Sequence, residues 1–293
     1  MNLSNKVYIN CPICAAKENS ELYTIDSWKI VGCQRCKFVY VNPRLETKEL
    51  LNLYNSNYFN NTEFGYKHYT EDKELRKKNF RKWINDALPY LRSIENNAAL
   101  DIGCATGYCL EIFKEKNWTP YGIDLDTQIA NDLTQKGYHV YNTPLVETDF
   151  KNTFSIITLF DVAEHLTDLH ENFKKLHSIL DKDGIVVMIT PNYNSFQRKI
   201  FGKKWFQFKP IEHINYFTLD TIAQLVEPLG FKIILHKNAG QFCDYSFLEN
   251  RLQNYRFKLF IPILKAFSKI FNLKEKAIYT DTASLYLILK KSS

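Results

Sequence analysis

Residues Leu100-Asp101-Ile102-Gly103-Cys104-Ala105-Thr106-Gly107 decide the fold. They read as a strand that runs into a glycine turn, and Tyr108 to Lys116 continue as a helix. A second strand, Thr119 to Ile123, ends at Asp124, 23 residues after Asp101. A strand, glycine turn, helix and second strand with a terminal acid make a nucleoside-binding unit. The small residues let the backbone approach the ligand, and the second acid grips the ribose hydroxyls. Here the glycines are spaced Gly-x-x-x-Gly, not Gly-x-Gly-x-x-Gly, and an acid precedes them by two residues. A carboxylate in that place repels a pyrophosphate and suits a ligand carrying an ammonium and a sulfonium, which disfavours NAD. The competing readings are a tight turn that binds nothing and an Asp124 that only caps the next helix.

From Ala98 onward strands and helices alternate, which predicts an α/β, Rossmann-like parallel sheet with helices on both faces. Phe154 to Phe160 form a further strand, with Phe160 and Asp161 at its carboxyl end, the ligand edge of such sheets. Asp161 could equally cap a helix starting there. Ile185 to Thr190 make the next strand. Phe231 to His236 and Ala283 to Leu289 are expected to pair as the last two, around a helical insertion at 238–280. The expected organisation is a small zinc-binding segment at 1–44, a helical linker or lid at 45–95, and the α/β domain at 96–293.

Four of the seven cysteines form two Cys-x-x-Cys pairs, Cys11/Cys14 and Cys33/Cys36, with 18 residues between them. Such pairs form turns whose backbone amides point at the thiolates, and two pairs supply four tetrahedral sulfur ligands for zinc. With all four positions taken by cysteine, no slot is left for water, so the ion is expected to be structural. Disulfides fit poorly where thiols stay reduced, and a redox motif needs only one pair. Cys104, Cys109 and Cys243 have no partners at ligand spacing.

The sheet motifs resemble the class I S-adenosylmethionine-dependent methyltransferases, whose first motif commonly reads Asp-x-Gly-Cys-Gly-Thr-Gly. The chain departs from it at Ala105. The resemblance implies S-adenosylmethionine as cofactor, with Gly103, Ala105 and Gly107 close to its methionine part and Asp101 near its ammonium. It implies Asp124 and Leu125 at the ribose, the backbone of 142–145 at the adenine, and Phe160 and Asp161 on the rim. Asp161-Val162-Ala163-Glu164-His165 is like the end of the family's fourth strand. Paired cysteines, then Asn42-Pro43-Arg44, then Leu-x-x-Tyr-x-x-x-Tyr-Phe, resemble a subgroup with an N-terminal zinc segment that includes sugar C-methyltransferases. In that subgroup a Glu-His at the place of Glu212-His213 sits over the substrate. Those enzymes carry a large second half, which is not expected within a chain of this length.

A hydroxyl acceptor must lose a proton, and histidine suits that work. His213 and His165 are therefore candidates, each beside a glutamate; a structural hydrogen-bonding role is the alternative for both. Tyr54, Tyr58, Phe59, Tyr66 and Tyr69 could cap the cleft, and the basic second helix reads as a solvated face. The formal charge of +6 is local: Arg251 to Ser293 carry nine basic and two acidic residues, +7, leaving −1 for the first 250. Within that part, 257–271 has an apolar face and a lysine face. It is expected to cover the cleft, meet another subunit, or rest on an anionic membrane near a lipid-linked substrate. Nucleic acid is disfavoured, because no aromatic-interleaved basic track marks the zinc segment. Without a signal sequence at the start or an apolar run of ~20 residues, the expected setting is the cytoplasm. The expected activity is methyl transfer to a small, anionic or lipid-linked acceptor. A hydroxyl of a sugar, glycan precursor or secondary metabolite comes first. The alternatives are a carbon of a nucleotide-linked sugar or a lipid or quinone hydroxyl at a membrane surface, and a non-catalytic binding protein of the same fold is the rival class.

Overall fold

The computed structural model of the protein describes residues 5–54, 73–91, 96–245, 249, 261–262, 265 and 277–292. The expected lid residues Tyr58, Phe59, Tyr66 and Tyr69 and most of the 257–271 helix lie outside these residues.

The chain opens with β1 (Lys6–Val7), followed by an antiparallel meander of β2 (Asn19–Ile25), β3 (Trp28–Cys33) and β4 (Val39–Val41). β5 (Arg44–Leu45) returns to pair with β1. The Asn42 side chain adds a strand-like link, accepting from Ile9 N–H at 3.0 Å and donating to its carbonyl at 3.1 Å. Two helices follow, α1 (Thr47–Leu53) and α2 (Lys73–Ala87).

β6 (Ala98–Ile102), α3 (Tyr108–Glu115), β7 (Thr119–Ile123), α4 (Thr127–Gln135) and β8 (His139–Tyr141) come next. β9 (Phe154–Phe160), α5 (Leu169–Ile179), β10 (Leu180–Pro191), α6 (Phe196–Phe201) and β11 (Asn215–Tyr216) follow. α7 (Leu219–Val226), β12 (Phe231–Cys243) and β13 (Ile278–Lys291) complete the order. The main sheet has seven strands ordered β12-β13-β10-β9-β6-β7-β8, parallel from β10 to β8, with β13 antiparallel to both neighbours. The chain reverses direction across the sheet between β6 and β9, so the carboxyl ends of these two strands form a crevice, the usual ligand position.

Both faces of this sheet are buried, and the strand period of two sorts the side chains. Leu100, Ile102, Val186, Met188, Leu285 and Leu287 join one cluster with α5, α7 and the cysteine segment. Ala99, Val187, Ile189, Tyr286 and Ile288 join a second with Trp83 and Ile84 of α2 and with α3. α4 begins where Asp126 accepts the N–H groups of Gln128 and Ile129, and α7 begins in a Thr218–Thr221 capping box.

Three features differ from the sequence reading. The last two strands run past their expected ends, to Cys243 and from Ile278, so the segment joining them is narrowed to 244–277. The basic face of α2 is not merely solvated: Lys77 meets Glu111 and Glu115 at 2.9 and 3.3 Å, and Arg81 meets Glu115 at 2.8 Å, clamping α2 onto α3. The sequence reading also gave no sign of the sheet that ties the cysteine segment to the later chain: β11 pairs with β4 in a four-stranded sheet. Arg44 also donates to Thr167 O, and the His170 ring bonds to Ile13 O at 2.8 Å.

Candidate active site

The glycine turn after β6 is built on left-handed backbone. Gly103, Ala105 and Gly107 have φ of +72°, +44° and +80°. A Cβ at Gly103 would lie 2.7 Å from Val162, and one at Gly107 would lie 2.5 Å from Leu133. The turn therefore needs glycine at both places for conformation and for space. Ala105 adopts the same region at a cost of about 1–2 kcal/mol. Its N–H donates to Asp124 Oδ2 at 2.7 Å, a charge-assisted bond of about 1.5–3 kcal/mol that offsets this cost. The departure from glycine at Ala105 is thus supported by the second acid.

Asp124 is 8% exposed and takes the Asp126 N–H on its other oxygen at 2.9 Å. It does not cap α4, since Asp126 does. Each carboxylate oxygen keeps a further acceptor site, the donor set that two vicinal ribose hydroxyls require. Burial raises its pKa to about 6, against the lowering by its backbone partners. Asp101, 3% exposed, sits below the turn and accepts the Thr158 hydroxyl at 2.5 Å. Burial first and the nearby Asp124 raise it to about 7, with the Thr158 and Cys109 bonds pulling the other way. A cationic ligand would relieve both acids. Leu125 is half-buried beside Asp124, and the Asn142 side chain donates to Asp124 O at 2.8 Å, fixing the loop after β8 against the ribose edge.

Phe160 packs against Phe80 and Trp83. Asp161 is exposed with φ of +55° and does not cap the short helix after it. Strain of this kind in a non-glycine residue belongs at ligand sites. Val162, against the glycine turn, leads directly into a buried polar cluster. Glu164 is 1% exposed, and Thr190 at the end of β10 donates to its Oε2 at 2.9 Å. His165 Nδ1 lies 2.9 Å from Glu212 O and 2.8 Å from Tyr54 Oη. His213, 2% exposed, lies with Nδ1 2.9 Å from Gln207 O. A carbonyl only accepts, so both rings carry the hydrogen on Nδ1 and expose a lone pair on Nε2. The two imidazoles meet edge to face with centroids 4.8 Å apart. Burial lowers His165 to about 4, and burial, then His165 and Lys209, hold His213 well below its usual range, so both are neutral.

The structure thus brings His165, His213 and Glu212 together, but Glu212 orients His165 through its carbonyl, not His213. Its carboxylate faces Lys209, 4.0 Å away. Sequence reading placed Tyr54 only as a possible cap of the cleft and Glu164 only as the neighbour of His165; it missed Thr190 and Asn215, whose side chain donates to Leu166 O at 2.7 Å and holds the Glu164-His165 turn.

In the N-terminal segment, Cys11 Sγ lies 3.4 Å from Cys36 Sγ and Cys14 Sγ 3.5 Å from Cys33 Sγ, with all four within 4.8 Å. Four sulfurs around one zinc at ~2.3 Å would stand about 3.8 Å apart, so the cluster fits that ion. All four are free thiols. Burial pushes Cys33 up, but the N–H groups of Cys36 and Arg35 and the neighbouring thiols outweigh it, and it falls to about 7.

A methyltransferase-domain family model matches residues 71–236, more than half of the chain. A ubiquinone biosynthesis O-methyltransferase of Rhodopseudomonas palustris (strain TIE-1) is 30% identical over 160 residues, 51% of this chain and 63% of that protein. The C-methyltransferase NovU of Streptomyces niveus is 20% identical over 212 residues, 70% of this chain and 46% of that one. The chain thus spans less than two thirds of these curated relatives. The solved structure of a SAM dependent methyltransferase from Archaeoglobus fulgidus superposes with a TM-score of 0.52 at 17% identity, covering 77% of this chain and all of that one, a likeness of fold. With the sheet order, the glycine turn and the paired acids, these matches establish that the chain belongs to the methyltransferase-domain family.

Proposed function

We propose that the protein transfers the methyl group of S-adenosylmethionine to a hydroxyl of a small-molecule acceptor, and that Cys11, Cys14, Cys33 and Cys36 hold a structural zinc. The observation that carries the reading is the shared edge. The Asp124-braced turn and the Glu164–His165–His213 cluster lie at the ends of β6, β7, β9 and β10, and Val162 joins them. S-adenosylmethionine, when bound, supplies an electrophilic methyl on a sulfonium. Asp124 would accept the ribose hydroxyls, Asp101 would face the cationic end, and Gly103 and Gly107 would let the backbone close on it. Phe160 and Asp161 would form the rim.

Methyl transfer from a sulfonium is an in-line displacement, so aligning donor and acceptor supplies most of the catalysis. His165 and His213 present acceptor lone pairs for a hydroxyl proton, with Tyr54 and the Glu212 carbonyl fixing the His165 ring, while burial, and then Asp161, push the neighbouring Glu164 carboxyl well above its usual range. The zinc segment would act at a distance, by holding α1 and hence Tyr54. A second reading, methylation of a sugar carbon, is favoured by the longer alignment to the C-methyltransferase and by the four-cysteine cluster. We read the acceptor as small and anionic or lipid-linked, with contact to a membrane surface through 257–271. Among the described residues no helix is long and apolar enough to cross a membrane.

The test is incubation with methyl-labelled S-adenosylmethionine and a panel of sugar nucleotides, phenols and lipid-linked glycans. Label in an ether product supports the hydroxyl reading, and label resistant to ether cleavage supports carbon. Cofactor binding without transfer to any acceptor would favour a binding protein of the same fold.

A further inference from the structure

Glu164, His165 and His213 bring three potential ligand side chains together in a largely buried place. One ligand atom from each lies within 4.8 Å of the other two. Glu164 Oε1 and His213 Nε2 are buried, and among the described residues no hydrogen-bond partner reaches either. His165 Nε2 is a third lone pair, because its Nδ1 hydrogen points at Glu212 O. Polar atoms left without a partner in a buried place are costly.

Their outer atoms, by contrast, are satisfied in the manner of metal ligands. Metal-bound imidazoles give their remote N–H to a backbone carbonyl or carboxylate, and ligating carboxylates are themselves hydrogen-bonded. His165 does so to Glu212 O, His213 to Gln207 O, each at 2.9 Å, and Glu164 Oε2 takes the Thr190 hydroxyl. Neutral imidazoles are the ligating form, and two histidines with one glutamate are a donor set that leaves a coordination position open. Ligand atoms around an ion with bonds of ~2.1 Å stand about 3–3.5 Å apart, which small side-chain rotations reach from the present spacing.

We propose that Glu164, His165 and His213 bind one divalent transition-metal ion of the zinc class, with its open position facing the acceptor hydroxyl. The assignment of that hydroxyl rests on the function proposed above, whereas the ion site does not. Coordination acidifies a bound oxygen, which answers the weak basicity of two imidazoles that burial keeps neutral. In the transfer, the acceptor O–H bond breaks with its proton passing to solvent. The oxygen forms a bond to the methyl carbon as the S–CH3 bond breaks, and that electron pair stays on the sulfur of S-adenosylhomocysteine.

The experiment is metal analysis of the untagged full chain after equilibration with zinc at micromolar concentration and removal of free ion. Wild type is expected to hold two equivalents. His213→Ala, Glu164→Gln and His165→Ala are each expected to hold one, with calorimetric binding of S-adenosylmethionine retained as proof of folding. Thr190→Val should weaken the second equivalent about 10- to 100-fold. One equivalent in wild type, or two in all folded variants, overturns the proposal. If wild type holds one equivalent and still transfers label, the ion site falls and the methyl-transfer reading stands. Two equivalents without transfer to any acceptor support the site and leave the transfer reading to fail alone.

Discussion

Replacing Asp124 by alanine removes a side chain that ties the glycine turn to the end of β7. Its oxygens hold Ala105 N–H at 2.7 Å and Asp126 N–H at 2.9 Å, and each retains one acceptor site for a ribose hydroxyl. A hydrogen bond to a charged acceptor contributes about 2 kcal/mol, so losing two weakens cofactor binding by about 4 kcal/mol, a factor on the order of 10³. Asp124→Asn keeps the shape and one acceptor oxygen, and should cost about 2 kcal/mol, or about 30-fold. The order wild type, asparagine, alanine is the signature of a ribose acid, whereas a purely structural Asp124 would change stability and leave affinity intact. Calorimetric titration of S-adenosylhomocysteine, run beside thermal unfolding of each variant, separates the two. Equal dissociation constants for wild type and Asp124→Ala would refute the nucleoside assignment.

Burial raises Asp124 to about 6 and Asp101 to about 7, so both hold protons in the folded state at pH values where the unfolded chain has released them. Each contributes stability that is present below about pH 4 and lost as pH rises through 6 and 7. The free protein should therefore melt lower at pH 8 than at pH 5.5, and Asp101→Asn should flatten that slope. Cofactor affinity should run the other way, rising over the same interval as the acids ionise, and a flat affinity profile would argue against an acidic site. Gly107→Ala and Gly137→Ala meet similar φ, +80° and +84°, but only the first drives a Cβ into a neighbour, Leu133. Gly137→Ala should lose about 1 kcal/mol of stability and Gly107→Ala distinctly more, together with cofactor affinity; equal melting shifts would refute the packing argument. Tyr54→Phe removes the hydroxyl 2.8 Å from His165 Nδ1. It should lower the rate of label transfer without changing the cofactor dissociation constant, and an unchanged rate would return Tyr54 to a packing role.

The parts legible in the sequence were those coded by local pattern. Gly103, Gly107, Asp101 and Asp124 announced the turn because each is required within one strand-turn-helix unit. The cysteine pairs announced themselves by spacing, and their sulfurs do converge. The hidden parts depend on distant partners. Tyr54 reaches a ring 111 residues away, and β11 joins the cysteine sheet across the 173 residues between Val41 and Asn215. Lys237 to Gln241 lack the apolar alternation of a strand, yet they stay in the ladder. β13 pairs with them, Trp83 Nε1 donates to Gly240 O, and Asn79 brackets Phe242 from both backbone sides. The carbonyls that set the tautomers of His165 and His213 come from residues 207 and 212, which sequence alone gives no reason to place there.

The most direct measurement of the central claim is a crystal structure with S-adenosylhomocysteine. Its ribose hydroxyls should lie within hydrogen-bond distance of Asp124, its amino group on the Asp101 side, and its sulfur facing the Glu164–His165–His213 cluster. A nucleoside bound elsewhere, or a sulfur turned away from that cluster, would contradict the account.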